Sequence, residues 1–173
     1  MNRKESLATM MGIGHLPYAQ GTVASFTILL ESYIVYALLS WISLPTPGLW
    51  MGILYGLSCC VWSWITLWAA EEMIQTHGPD PSALVSDEAA GMSFVISVMF
   101  LLGEFYGDAL QMKGWITITL AVCFFRVYDI TKPLGIRRLE RVSAGNGILL
   151  DDLAAAFAAV ATTVGLMIVL MMI

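Results

Sequence analysis

The chain has 173 residues, a net charge of −5 and only 12% charged residues, where a soluble domain carries about 25%. With a mean hydropathy of +0.79 it cannot cover a globular surface with polar groups, which excludes a water-soluble fold and places it in lipid. The length suits one domain over residues 1–173, read as an all-α, multi-pass membrane bundle of about five hydrophobic helices. Nothing in it points to a nucleic-acid partner.

Residues 1–21 form a polar, glycine-rich N-terminal segment without the apolar core and small-residue cleavage site of a signal peptide, so the membrane signal is expected to be internal. A first helix is predicted from about Thr22 to Ile42, interrupted by Glu31. A charge at that depth needs a partner, so Glu31 is expected to face the bundle. Leu44-Pro45-Thr46-Pro47-Gly48 is a turn. The uncharged run Gly48 to Ala70 is long enough to span, with Glu71 and Glu72 expected to end it. A loop over Thr76 to Asp87 follows, marked by Gly78, Pro79, Asp80, Pro81 and Ser82. Ala89 to Gly103 and Gly114 to Phe125 read as short helices whose polar ends sink into a protein-lined cavity, the second able to continue to Pro133. Leu153 to Ile173 is an uncharged final span. Cys59, Cys60 and Cys123 fall inside apolar runs and read as small buried hydrophobes.

Arg3, Lys4, Lys132, Arg137, Arg138 and Arg141 fall on one side of such a bundle, leaving Lys113 for the other. The positive-inside rule makes the populated side cytoplasmic, and the motif-bearing loops with it.

Three acidic clusters share that side. Asp87 and Glu88 begin a helix, where a carboxylate meets the positive end of the dipole, and Gly91 one turn on lets another backbone approach. Arg126, Asp129 and Lys132 recur every three residues and share a helix face, with Arg126 and Asp129 too deep to be lipid-surface anchors. Asp151 and Asp152 follow Gly145-Asn146-Gly147, read as a tight turn opening the last helix. Neighbouring carboxylates repel unless a cation lies beside them, and oxygen-only ligands suit Mg²⁺. Gly12-Ile13-Gly14-His15-Leu16-Pro17 and Gly21-Thr22-Val23-Ala24-Ser25 precede the first helix and can offer backbone N–H groups and hydroxyls to an anion. His15 and His77 are read as separate exposed or hydrogen-bonded loop histidines.

With these residues assembled, the chain resembles the phosphatidylglycerophosphatase A family from about Gly12 to Ala159. Three blocks carry the resemblance. They are Gly12-x-Gly14-x-Leu16-Pro17 with Gly21-Thr22-x-x-Ser25; Asp80-Pro81-Ser82 with Asp87-Glu88-x-x-Gly91; and Phe125-Arg126-x-x-Asp129-x-x-Lys132-Pro133, continuing to Gly145-x-Gly147-Ile148 and Asp151-Asp152. Gln20, Ala24, Gly135 and Ala144 depart from the family pattern, and none of the four removes a charged group.

The resemblance implies a Mg²⁺-dependent phosphatase of the bacterial cytoplasmic membrane, converting phosphatidylglycerophosphate to phosphatidylglycerol and phosphate. The metal is then expected on Asp87 or Glu88, Asp129, and Asp151 or Asp152. Thr22, Ser25, Arg126, Lys132 and Arg137 are expected at the phosphate. Asp87, Glu88, Asp129 and Asp152 form the catalytic set, a carboxylate without metal taking the proton of an attacking water. Two rivals remain: a phosphatase for another lipid phosphate, and a small transporter or ion-binding protein. The transporter predicts acids spread through the membrane depth rather than gathered at one level.

Overall fold

The computed structural model describes residues 2–78, 81–110, 114–133, 135–142 and 144–173; Pro79, Asp80 and Lys113 lie outside the described residues. Helix α1 (Arg3–Ala8) is followed by a 3-10 turn at Ile13–His15, then α2 (Gln20–Trp41), α3 (Pro47–His77), α4 (Ser86–Leu110) and α5 (Gly114–Thr131). A second 3-10 turn, Ile136–Arg141, leads into α6 (Ala144–Met171), and no strand occurs among the described residues. Helices α2 to α6 are the five long and apolar enough to cross a membrane. Their outer faces carry Phe26, Leu30, Ile34, Leu57, Val61, Ile116 and Phe157, all exposed and suited to lipid.

Three segments, α3, α4 and α6, run further than the sequence pattern suggests. Glu71 and Glu72 do not end α3. It continues to His77 and stops at Gly78, whose φ of +97° L-residues rarely adopt. Helix α4 is long enough to span, because Ser86 to Ala89 at one end and Glu104 to Leu110 at the other remain helical, and α5 continues through Arg126 and Asp129 to Thr131 as its pattern allowed. Lys132, at φ +45°, and Pro133 end α5. Gly145-Asn146-Gly147 is not a turn: it lies within α6, so Asp151 and Asp152 sit about two turns inside that helix rather than at its start. A Cβ at Gly145 would strike the Ala70 side chain, so this glycine serves a close α3–α6 contact.

Helix α4 is central. Ala89, Ala90, Met92, Val95, Ile96 and Met99 are buried along its length, and it packs against α2, α3, α5 and α6. Hydroxyl groups tie it to α3, through Thr66 Oγ1 to Ser86 Oγ at 2.7 Å, Ser58 Oγ to Ser93 Oγ at 3.1 Å, and Ser97 Oγ donating to the Gly52 carbonyl at 2.6 Å. Tyr128 and Thr162 join α5 to α6 at 2.8 Å. At the opposite end, Trp115 stacks on Tyr33 at 3.7 Å and meets Phe100 edge-on at 5.3 Å, binding α2, α4 and α5.

Two sequence expectations fail on helical phase. The buried stripe of α2 is Gly21, Ala24, Ser25, Ile28, Leu29 and Ser32. At about 100° per residue Glu31 falls just beyond its edge, and it is exposed rather than turned into the bundle. Cys60 and Cys123 are likewise exposed on outer faces, and Cys59 is half-buried.

Gly91 has Phe125 and the Asp152 carbonyl where a Cβ would go, at 2.7 Å and 3.3 Å, and Phe125 is fully buried. Gly91→Ala therefore overpacks the α4–α5–α6 junction and is expected to cost about 1–3 kcal/mol. A thermal melt of the detergent-solubilised protein should show the lower midpoint, and an unchanged midpoint would contradict this packing.

Candidate active site

Four helix ends converge on the side of the bundle that carries α1 and both 3-10 turns. Helix α4 contributes Asp87 and Glu88 in its first turn, fixed by the Thr66–Ser86 bond one residue earlier. Helix α6 contributes Asp152, α5 contributes Arg126 and Asp129 from its last two turns, and α2 contributes Thr22. One carboxylate oxygen from each of Asp87, Glu88 and Asp152 lies within 4.8 Å of the others. Asp87 is 7% exposed and Asp152 3%, while Glu88 is half-buried. Asp129 adjoins this triad, within hydrogen-bonding reach of Asp152.

The basic partners are placed by the same helices. Arg126 pairs with Asp129 at 2.6 Å, the i,i+3 pair expected on one face of α5, and its Nη2 reaches Thr22 Oγ1 at 3.4 Å. Gly21 makes room for this meeting: a Cβ there would overlap the Glu88 carboxylate and come within 3.2 Å of Arg126 Nη2.

Adjacent residues on a helix point about 100° apart, so Asp151 and Asp152 separate. Asp152 joins the triad, whereas Asp151, 3% exposed, pairs with Lys132. Ser25 is fully buried and its hydroxyl donates to the Gly21 carbonyl at 2.9 Å, so that proton is committed within α2. Arg137 is exposed on the Ile136–Arg141 turn. Among the departures from the family pattern, Gly135 is at φ +83°, a conformation that suits glycine, and Ala24 is fully buried in the α2 stripe.

Sequence reasoning missed Thr66 and Ser86 as supports of this site, and it read Gly21 as an anion-binding glycine rather than as the close contact it makes. Ser86, Thr66 and Gly21 hold the charged groups in place without carrying charge. For Ser86 the available signal was a hydroxyl directly before an acid, whereas Thr66 and Gly21 have no acid beside them in the chain.

The carboxylate triad fits a hard divalent cation. Asp87 Oδ1, Glu88 Oε2 and Asp152 Oδ2 are buried without a hydrogen-bond partner. Such groups are costly unless a cation or donor meets them. Oxygen ligands at about 2.0–2.1 Å from Mg²⁺ stand about 3–4 Å from one another, so small side-chain adjustments close the set.

Buried acids and an arginine gathered at one end of a helical membrane bundle are the groups that metal-assisted phosphate chemistry uses. The model of the family Phosphatidylglycerophosphatase A matches residues 6–167, and the chain belongs to that family. It is accordingly a phosphoric monoester hydrolase acting on lipid. It is 28% identical over 149 residues to a Bacteroides thetaiotaomicron protein named "Putative phosphatidylinositol-3-phosphatase", covering 86% of this chain and 84% of the relative. It is 29% identical over 161 residues to a Haemophilus influenzae phosphatidylglycerophosphatase A (92% and 86% covered), and 28% over 150 residues to that of Escherichia coli K12 (86% and 74%). No solved structure matches the chain.

Gly21→Ala is expected to push the Glu88 carboxylate aside while leaving the fold intact, because the atom displaced is a side-chain end. A misplacement on the order of 1 Å costs up to about 100-fold, so turnover should fall at least about tenfold at an unchanged melting midpoint. Wild-type turnover in this variant would show that the α2–α4 approach does not position Glu88.

Proposed function

We propose that the chain hydrolyses the terminal phosphate monoester of phosphatidylglycerophosphate, in a Mg²⁺-dependent reaction at the cytoplasmic surface of the bacterial inner membrane. The observation that carries this reading is the buried triad Asp87, Glu88 and Asp152 with partnerless oxygens beside the Arg126–Asp129 pair. The acids gather at one end of the bundle, which favours the enzyme over a proton or ion relay running through the membrane depth.

In this reading Asp87, Glu88 and Asp152 hold the Mg²⁺. When bound, Mg²⁺ supplies charge neutralisation for the phosphate and a more acidic water. Arg126, steered by Asp129 on one side and Thr22 on the other, takes a non-bridging phosphate oxygen. Lys132 and Arg137, at the end of α5 and on the turn after it, lower the cost of bringing a dianionic headgroup to an acidic site. Asp129, outside the triad, accepts the proton of the attacking water. As the water oxygen bonds to phosphorus the glycerol C–O–P link breaks on the phosphorus side, and the proton taken up by Asp129 passes to the departing oxygen. The basic residues of the N-terminal segment and the 132–141 connection support the cytoplasmic placement of this end.

The Bacteroides relative favours a second substrate, a phosphatidylinositol carrying a ring monoester. The deciding measurement is phosphate release from each lipid in mixed micelles, with Mg²⁺ and with a chelator. Phosphatidylglycerophosphate should give the higher kcat/KM, and chelation should abolish release. Asp152→Asn removes a proposed metal ligand and should lower kcat/KM by at least about 100-fold, the upper end of what even indirect supports of a metal cost. Folded protein that released no phosphate from phosphatidylglycerophosphate would overturn the proposal, and a preference for the inositol lipid would transfer it to that substrate.

A further inference from the structure

A second group of metal-ligating side chains lies apart from the acidic triad. Glu5 of α1, His15 of the 3-10 turn and His77 at the end of α3 each direct one donor atom to a common point, all within 4.8 Å of one another. Glu5 Oε1 is 3.3 Å from His15 Nε2 and 4.0 Å from His77 Nε2. The side chains are 26%, 40% and 33% exposed, so the point is open to solvent.

The surrounding bonds orient these groups. The Asn2 side chain caps α1 by accepting from the Glu5 N–H at 2.9 Å. Glu72 is engaged by Asn2 and Lys4, and Lys4 also lies over the Trp68 ring at 5.0 Å, so α1 is held against α3. Thr76 Oγ1 donates to the Glu72 carbonyl at 2.9 Å and lies 2.7 Å from His77 Nδ1. That contact orients the His77 ring with Nε2 on the Glu5 side, 4.0 Å from Oε1.

We propose that Glu5, His15 and His77 form a Zn²⁺ site, distinct from the acidic triad. Two imidazoles beside a carboxylate make a nitrogen-rich donor set that suits Zn²⁺ and not Mg²⁺, and three protein ligands leave a fourth position for water. Ligands about 2.0–2.1 Å from a tetrahedral Zn²⁺ stand about 3.4 Å apart, close to the spacing present. The Thr76 contact is the outer bond that metal-binding imidazoles ordinarily make. The site joins α1, the Ile13–His15 turn and α3. The same segment meets the chain before α4, where the Val85 N–H donates to the Ala8 carbonyl at 3.0 Å and Gly14 abuts the Ala83 carbonyl. Bound Zn²⁺ would clamp the N-terminal segment onto the loop that leads to Asp87.

The test uses full-length protein in detergent, titrated with Zn²⁺ against a competing chromophoric chelator in excess Mg²⁺, and with Co²⁺ as a spectroscopic substitute. One equivalent of Zn²⁺ should bind, and Co²⁺ should give the visible absorption of a tetrahedral nitrogen–oxygen site. His15→Gln and His77→Gln should each weaken binding at least about tenfold at an unchanged melting midpoint without metal. Asp152→Asn should retain it. No binding by the wild type, equal binding by the histidine variants, or loss in Asp152→Asn alone would each overturn the proposal, the last by locating the ion in the acidic triad.

Discussion

The structure turns on one electrostatic constraint: five carboxylates, Asp87, Glu88, Asp129, Asp151 and Asp152, crowd one end of a bundle, where Arg126 pairs with Asp129 and Lys132 with Asp151. Buried like charges must be separated, paired or bridged by a cation. Two of the five are paired with bases, and the other three remain as the triad. That division follows from helix geometry. Asp151 and Asp152 are neighbours in the chain but diverge about 100° around α6, so one reaches Lys132 and the other reaches α4.

Such a cluster requires helix ends at a common depth, and the apolar contacts alone do not set depth. Polar and steric stops do. Thr66 to Ser86 and Ser97 to the Gly52 carbonyl set the register of α4 on α3, while Gly91 and Gly145 let α6 approach until carbonyl and side chain touch. In lipid, helix association rests on such close packing and interhelical hydrogen bonds rather than on water exclusion. The site therefore inherits its geometry from uncharged residues at the helix contacts.

The charged half of this arrangement was legible because acids stand out in an apolar chain. The positions of Asp87, Glu88, Arg126 and Asp129 at helix ends on one side followed from counting spans. What the sequence could not show was phase and extent. Glu31 misses the buried stripe of α2 by a small rotation, and α6 begins before its glycines because Gly145 and Gly147 are helical and packed, a context that outweighs their low helix propensity. The pairing of His15 with His77 and Glu5 depends on α3 running on to His77 and on α1 folding back over it, neither of which has a local signal.

Helix α5 connects the site with the membrane around it. Its inward face carries Arg126 and Asp129, while Val127 and Ile130 beside them are 51% and 66% exposed. One turn of one helix thus presents a guanidinium on one side and an apolar surface on the other. A lipid phosphomonoester has the same division, with a charged head and chains that gain nothing from leaving the bilayer. In the proposed function its head would meet Arg126 while its chains stayed against Val127 and Ile130, so chain extraction, at about 0.8 kcal/mol per CH₂ moved into water, would be avoided. A soluble phosphomonoester would gain nothing from the apolar side, and this is the physical reason to expect a site of this kind to select lipids.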